Sequence, residues 1–374
     1  MQTETVFWLA AAIAFYVYIG YPAALTVLRL VVRHRVAKRR FEPSVSLLVA
    51  AYDEADVIEA KIRNALALDY PEDRLEIVIA SDGSTDGTAE IARRHADGRR
   101  VRVFDYDIRR GKTGVLNETV PRLRGEIVAF SDASSMLAPA ALRQLVANFA
   151  DPAVGAVSGV YRVGKKDEAY LGGQEDLYWR YETYLKKQEA ALGSLLGAHG
   201  SLYAIRKSLY PFPPPATIND DWIIPVRVLQ KGYRVAYEPE AVAWEEAREM
   251  GGFSRRVRIM TGNCKQLREA RGLLWPPRPL PLFVLVSHKV GRLVVPFAMV
   301  ALIVANALLL PAPFYASTLL LQLLFYGLVL GGAFARLRPR VLRLPYYFCM
   351  VNAAVFLGIL HAMAGSRPVA WKRE

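Results

Sequence analysis

The chain of 374 residues is 53% hydrophobic with a formal net charge of +13, long enough for one sizeable catalytic domain and further segments. The charge does not point to nucleic acid: basic residues gather beside apolar stretches, at Arg33–Arg35, Lys38–Arg40 and 336–340, as the positive-inside rule describes for membrane proteins. Only two cysteines occur, Cys264 and Cys349, far apart and in different contexts, which excludes a disulfide framework and disfavours a zinc site.

Phe7 to Val32 has about the length of a bilayer-spanning helix, and its positive charges follow it rather than precede it. That order predicts an uncleaved anchor with its N-terminus outside, not a signal peptide. Val45–Ala51 reads as a buried strand that ends in Tyr52-Asp53-Glu54, an aromatic and two acids able to stack on and hydrogen-bond a nucleoside. A helix over 54–68 and a strand over 75–80 complete a β-α-β unit. The second strand runs into Ser81-Asp82-Gly83-Ser84-Thr85-Asp86-Gly87-Thr88, and helical spacing follows from Thr88. Ligands of α/β sheets bind just beyond the carboxyl ends of strands. There Gly83 lets backbone approach a ligand, and Asp82 can accept hydrogen bonds from a base or ribose. The lysine of a P-loop is absent.

Further along, Arg109-Arg110-Gly111-Lys112 precedes a helix start, a pairing that suits an anionic ligand. Ile127–Phe130 is another strand, ending in Ser131-Asp132-Ala133-Ser134. Glu175–Glu182 is an aromatic-rich helical stretch, suited equally to stacking on sugar rings and to half-buried packing. Asp220 and Asp221 open a helix, and Phe253–Ile259 carries three arginines. Apolar stretches at 292–311, 314–335 and 344–364 predict three more spans, the first two separated by Pro311-Ala312-Pro313. One crossing before the middle region and three after it place that region on the cytoplasmic side of a cell inner membrane.

Five of these blocks, in order over about residues 45–265, resemble the motifs of family-two inverting glycosyltransferases, which include hyaluronan, chitin and cellulose synthases. Tyr52-Asp53-Glu54 stands where the family has an Asn-Glu pair, and 81–84 stands at its nucleotide-sugar signature. Gly111–Asn117 follows a Gly-Lys-x-x-Ala-Leu-Asn pattern with Val115 for alanine. The resemblance implies that Tyr52, Glu54, Asp82, Gly83, Arg110 and Lys112 meet the donor nucleotide. Asp132 occupies the family's Asp-x-Asp position and would hold Mg²⁺ or Mn²⁺ against the diphosphate, with Ser134, in place of the second acid, acting through water. Small residues around His199, Gly200 and Ser201 would line donor sugar and acceptor, His199 as a lining or packing residue rather than a base. Asp221 would be the general base, with Asp220 its supporting neighbour and Trp222 lining the acceptor. In the Gln-x-x-Arg-Trp motif of processive members, Arg255 takes the Gln position, Arg258 the diphosphate-contacting Arg and Ile259 the Trp. His288–Arg292 looks like the segment by which related synthases pass into the membrane.

The implied architecture is a GT-A, Rossmann-like α/β nucleotide-sugar domain with one N-terminal and three C-terminal transmembrane helices. Its units are an anchor with basic flank (1–40), a catalytic domain (41–250), interfacial basic helices (251–291) and a membrane region (292–374). The implied reaction is inverting transfer from a nucleotide sugar, UDP-linked, to a growing exopolysaccharide or a lipid-linked acceptor, forming a β-glycosidic bond. Glycolipid-forming single addition, on a polyprenyl-linked sugar or a sphingolipid, and a non-catalytic nucleotide-sugar-binding scaffold are the other readings. Ser134 and Ile259 favour the scaffold; the joint presence of Asp82, Asp132, Asp220 and Asp221 opposes it. The partners that fit are the bilayer, a second copy of the chain and export components.

Overall fold

In the computed structural model the described residues are 1–163, 173–245, 253–334 and 344–365. The side chains of Tyr178 and Trp179, the arginine turn at 336–340, and Arg367, Lys372 and Arg373 lie outside the described residues. In chain order the strands are β1 (Val45–Ala51), β2 (Leu75–Asp82), β3 (Val101–Tyr106), β4 (Ile127–Phe130), β5 (Met136–Leu137), β6 (Val154–Val163), β7 (Tyr203–Arg206) and β8 (Arg234–Glu245). The helices are α1 (Gln2–Val31), α2 (Ala55–Leu66), α3 (Thr88–Arg93), α4 (Lys112–Thr119), α5 (Ala141–Ala147), α6 (Gly173–Ala191), α7 (Asp220–Gln230) and α8 (Phe253–Gln266). Three more follow: α9 (Pro279–Leu308), α10 (Pro313–Phe334) and α11 (Leu344–Met363).

The strands form one sheet in the order β3-β2-β1-β4-β7-β6-β8-β5. β3, β2, β1 and β4 run parallel, whereas β7 is antiparallel to both β4 and β6. Every residue of β1 and β2 is buried, as expected of β-branched parallel strands covered on both faces. Because side chains alternate along a strand, Leu47 and Val49 share a core with Ile58 and Ile62 of α2. Leu48 and Ala50 share the opposite core with Leu116 of α4 and Ile223 of α7. The chain leaves β1 towards β2 on one side while β4 lies on the other, so the strand order switches between β1 and β4. A crevice at that point is where open α/β sheets bind ligands.

Four helices are long and apolar enough to cross a membrane: α1, α9, residues 313–332 of α10, and α11. On α10 such large side chains as Leu320 and Leu321 are 58% and 65% exposed, a surface that only lipid or another apolar partner can cover. The second span begins at Pro279, ahead of the 292 expected from hydropathy. His288, Lys289 and Arg292 interrupt the apolar run in sequence, but in the fold they turn inward. His288 Nδ1 lies 2.5 Å from Glu189 and Arg292 Nη2 2.5 Å from Glu182, both on α6. The helix therefore continues through them, with a π-helical turn at Leu285–Val290. Tyr21 of α1 donates to the same Glu189 at 2.8 Å, tying anchor, α6 and α9 together.

Candidate active site

The carboxyl ends of β1, β2 and β4 and the N-termini of α4 and α7 converge on one cleft. Asp132, just after β4, accepts a hydrogen bond from Lys112 Nζ at 2.8 Å, and the same ammonium is 3.3 Å from Asp220. Burial opposes charge on Lys112, but Asp132 and Asp220 outweigh it and hold the lysine protonated, above its ordinary range. Burial likewise works to raise Asp132, yet Lys112 and, more weakly, Arg255 hold it below the ordinary carboxylate range. Asp220 also accepts from Tyr203 at 2.8 Å.

Asp221 differs from its neighbour. Its Oδ2 accepts from Gly200 N–H at 3.1 Å, and its carbonyl accepts from Ala198 N–H at 2.7 Å. Burial and then the Asp220 charge push it up to about 6, the range of a general base working near neutrality. Gly200 faces all three groups: a Cβ there would lie tightly, 3.3 Å, against Asp132 Oδ2 and in ordinary contact with Asp221 Oδ2 at 3.5 Å and Lys112 Nζ at 3.7 Å. That cradle fits a hard cation, since Mg²⁺ and Mn²⁺ sites use one or two carboxylates with substrate phosphates and waters. Among the described residues no cluster of three His, Cys, Asp or Glu could hold a metal by itself. Of the acids at the cleft, Asp132 is the one that would hold such an ion, with substrate oxygens needed to complete its shell.

Ser134 does not face the cleft alone. Its hydroxyl donates to Glu245 Oε1 at 2.8 Å, and Tyr161 donates to the other oxygen at 2.7 Å. Glu245 brings an acid beside the position where the resemblance lacks one. No spacing signal in sequence reveals it, because it reaches Ser134 only through pairing of β5 with β8. Lys186 of α6, which donates to Ala198 carbonyl at 3.1 Å, was equally invisible. His199 is neutral, its pKa kept well below the usual value by burial and by Lys186. Trp222 is buried on α7, and Ser201 accepts at its carbonyl from Ser131 Oγ at 2.7 Å.

At the nucleotide end the motif residues divide into two groups. Asp53, Ser84, Asp86 and Thr88 bind one another's loops: Thr85 N–H donates to Asp53 at 2.9 Å and Ala55 N–H to Asp86 at 2.9 Å. Thr88 Oγ1 accepts from Glu54 N–H at 2.8 Å, so Glu54 is held at the start of α2. Asp82 is fully buried, and its two oxygens accept from Arg110 N–H at 2.6 Å and Gly111 N–H at 2.8 Å. It orders the 107–111 loop from beneath, with no surface of its own open to the cleft. Gly83 has φ +67°, and a Cβ would meet Arg109 N at 3.0 Å, so the loop closes directly over this turn. The Arg109 guanidinium sits 3.7 Å above the Tyr52 ring, covering the face a base would stack on. The Arg110 side chain is paired with Glu118 at 3.1 Å along α4. Arg255 is exposed and Arg258 half-buried, one turn apart on α8.

Comparison with known proteins agrees with this arrangement. Residues 43–261 match the family described as "Glycosyltransferase like family 2". A poly-β-1,6-N-acetyl-D-glucosamine synthase of Staphylococcus aureus (strain MSSA476) is 28% identical over 252 residues, covering 66% of this chain and 61% of that protein. The synthase of Staphylococcus epidermidis is 27% identical over 258 residues, covering 67% and 61%. The chain thus spans about 61% of the length of these relatives. The mannosyltransferase PcManGT from Pyrobaculum calidifontis, solved in complex with GDP-Man and Mn²⁺, superposes with a TM-score of 0.76 at 25% identity, covering 97% of this chain and 99% of that one. With the ordered motifs, the mixed α/β sheet and a family match over more than half its length, the chain belongs to the glycosyltransferase-like family 2.

Proposed function

We propose that this chain is a membrane-bound inverting glycosyltransferase that moves a sugar from a nucleotide-sugar donor to an acceptor hydroxyl. The observation that carries this is Asp221, a half-buried carboxyl poised near 6 beside the Lys112–Asp132 pair. Asp221 takes the proton of the acceptor hydroxyl as that oxygen attacks the anomeric carbon, and attack from the face opposite the diphosphate inverts the configuration. Asp220 raises the basicity of Asp221, while Gly200 N–H fixes its carboxylate. Lys112 faces the departing diphosphate, and Arg255 adds positive charge near Asp132. A Mg²⁺ or Mn²⁺ ion held by Asp132 would supply further neutralisation of the leaving nucleoside diphosphate. The nucleoside would stack on Tyr52 only once Arg109 leaves its ring, with Asp82 beneath ordering the loop. UDP follows from the resemblance, whereas the GDP-Man of PcManGT supports a guanine nucleotide, so the two bases are tested against each other.

The basic flank at Arg33–Arg40 supports a catalytic domain on the cytoplasmic face of the membrane. The test uses full-length protein in nanodiscs with labelled UDP- and GDP-sugars, Mn²⁺ or Mg²⁺, and native lipid extract. Turnover should require the metal and cease with EDTA. Asp221→Asn should lower kcat by roughly 10²- to 10⁴-fold while leaving nucleotide affinity unchanged. Unchanged turnover in that variant removes Asp221 from the role of base. Nucleotide binding without turnover of any donor overturns the transferase reading.

A further inference from the structure

The turn after β4 lacks the second acid of the motif, and the fold brings one to it from elsewhere in the chain. Ser135 N–H donates to the Asp132 carbonyl at 3.2 Å, so Asp132 to Ser135 form one tight turn. Ala133 and Ser135 are buried within it, whereas Asp132 and Ser134 stay half-buried on its open side. The Ser134 hydroxyl donates its single proton to Glu245 Oε1 at 2.8 Å, which leaves the lone pairs of Oγ for another partner. Glu245 is the last residue of β8. Met136 of β5 pairs with Trp244, and this register delivers the next residue, Glu245, to the turn. Tyr161 of β6 donates to Oε2 at 2.7 Å and so fixes the carboxylate from its other side. The Tyr161 ring stands 6.3 Å from that of His199, the neighbour of Gly200, whose Cβ would press on Asp132. Ser134, Glu245 and Tyr161 therefore border the Asp132 cradle.

A dication at Asp132 would face like charge. Lys112 is paired with Asp132, and Arg255 also bears on that carboxylate. One acid beside two cations is a poor seat for Mg²⁺ or Mn²⁺, whose sites use carboxylates together with waters and phosphates. Glu245 offsets that imbalance. Its oxygens are met by two hydroxyls, and among the described residues no cation stands within 4.0 Å of it. Arg255, whose charge also reaches Tyr161, is the basic group that α8 turns towards this place. Ser201, 4% exposed and next to Gly200, has a hydroxyl with no partner among the described residues. The waters that a hydrated ion retains are partners of the kind it lacks.

We propose that Ser134 and Glu245 together replace the second acid of the metal site. Ser134 presents its lone pairs to the ion or to a water on it. Glu245 is the positioning residue. It draws the hydroxyl proton away from the ion and supplies, from β8, the negative charge that an acid at position 134 would carry. Tyr161 holds Glu245 in that pose. This rests on the transferase reading and its metal, and names the residues that complete the seat.

The test is Mn²⁺ binding to full-length protein in nanodiscs, read as loss of the free-ion electron paramagnetic resonance signal. UDP and GDP, which carry no sugar to transfer, are added in separate titrations, so turnover plays no part. Glu245→Gln and Ser134→Ala should each weaken Mn²⁺ binding about tenfold or more. The S134A/E245Q double variant should lose little further, because both residues act through one oxygen. S134D/E245Q moves the acid into the turn and should regain most of the affinity, whereas a merely structural Glu245 would leave it weak. Asp73→Asn, an exposed acid ahead of the opposite end of β2, should change nothing. If Glu245→Gln fails to fold, Ser134→Ala decides alone, since it leaves β8 untouched. Unchanged affinity in either single variant, additive losses, or a folded S134D/E245Q that stays weak overturns the assignment. No Mn²⁺ bound by the unaltered protein with either nucleotide overturns the metal reading and this assignment with it. Mn²⁺ bound as stated in a protein that never turns over a nucleotide sugar overturns the transferase reading alone.

Discussion

At the scale of single residues, two adjacent aspartates carry different duties because their surroundings differ. Asp220 is held by Tyr203 and Lys112, whereas Asp221, half-buried beside it, is pushed up to about 6. A base works only when deprotonated, so kcat/KM should climb about tenfold per pH unit below 6 and level off above it. Asp220→Asn removes the negative neighbour that helps raise Asp221, so the rising limb should move to lower pH. A pH–rate profile of the metal-loaded enzyme checks both, and a limb that stays in place in the variant separates Asp220 from that role. The acids themselves are legible in sequence because they open a helix. Glu245 and Lys186 are not, since each reaches the cleft from a distant element.

At the scale of elements, the loops after β4 and before β7 rest on one buried lysine. Lys61 of α2, fully buried, donates to Ser131 Oγ at 2.7 Å and to the Ser135 carbonyl, and Ser131 in turn holds the Ser201 carbonyl. Burial lowers Lys61 to about 7, with Asp132 opposing the drop. An unfolded lysine titrates near 10.4. Between those values the unfolded chain binds more protons, so this group makes stability rise with pH from about 7 to 10. Lys61→Met should remove that rise, seen as a smaller gain in Tm between pH 7 and 9 than in the unaltered protein. It should also lower turnover by about tenfold as the Asp132 loop loses its support. Turnover at the original level would make Lys61 a packing residue only. Strand β4 and helix α2 follow from apolar periodicity, but the lysine beneath these loops reads in sequence as one polar position of an amphipathic helix.

At the scale of the whole molecule, α8 joins the catalytic cleft to the membrane helices. A Cβ on Gly262 would lie 2.9 Å from Asn219, the residue before Asp220, and one on Gly358 of α11 would lie 2.6 Å from Met260 Cβ. Asn219 further donates to the Ile259 carbonyl at 3.0 Å and to Asn263 at 2.8 Å. Two close crossings thus clamp the start of α7 to the last span. Gly358→Leu should overpack that crossing at a cost of about 1–3 kcal/mol. The expected result is a lower Tm in detergent and a larger loss of acceptor-dependent turnover than of nucleotide affinity. Equal loss of both would mean that the crossing serves stability alone.

Strands β1, β2 and β4, the ordered motif blocks and the four apolar segments are legible in the chain alone, because each depends on residues near one another along it. Hydropathy placed the start of the second span late, since it reads His288, Lys289 and Arg292 as interruptions. Only tertiary structure turned those cations inward, onto the α6 carboxylates and a cavity. It alone set Ser134 against Glu245, 111 positions away, and Lys61 beneath Ser131, 70 away. The reason is physical: a buried charge is tolerated only when packing delivers a partner, and packing between distant segments leaves no local pattern in the chain.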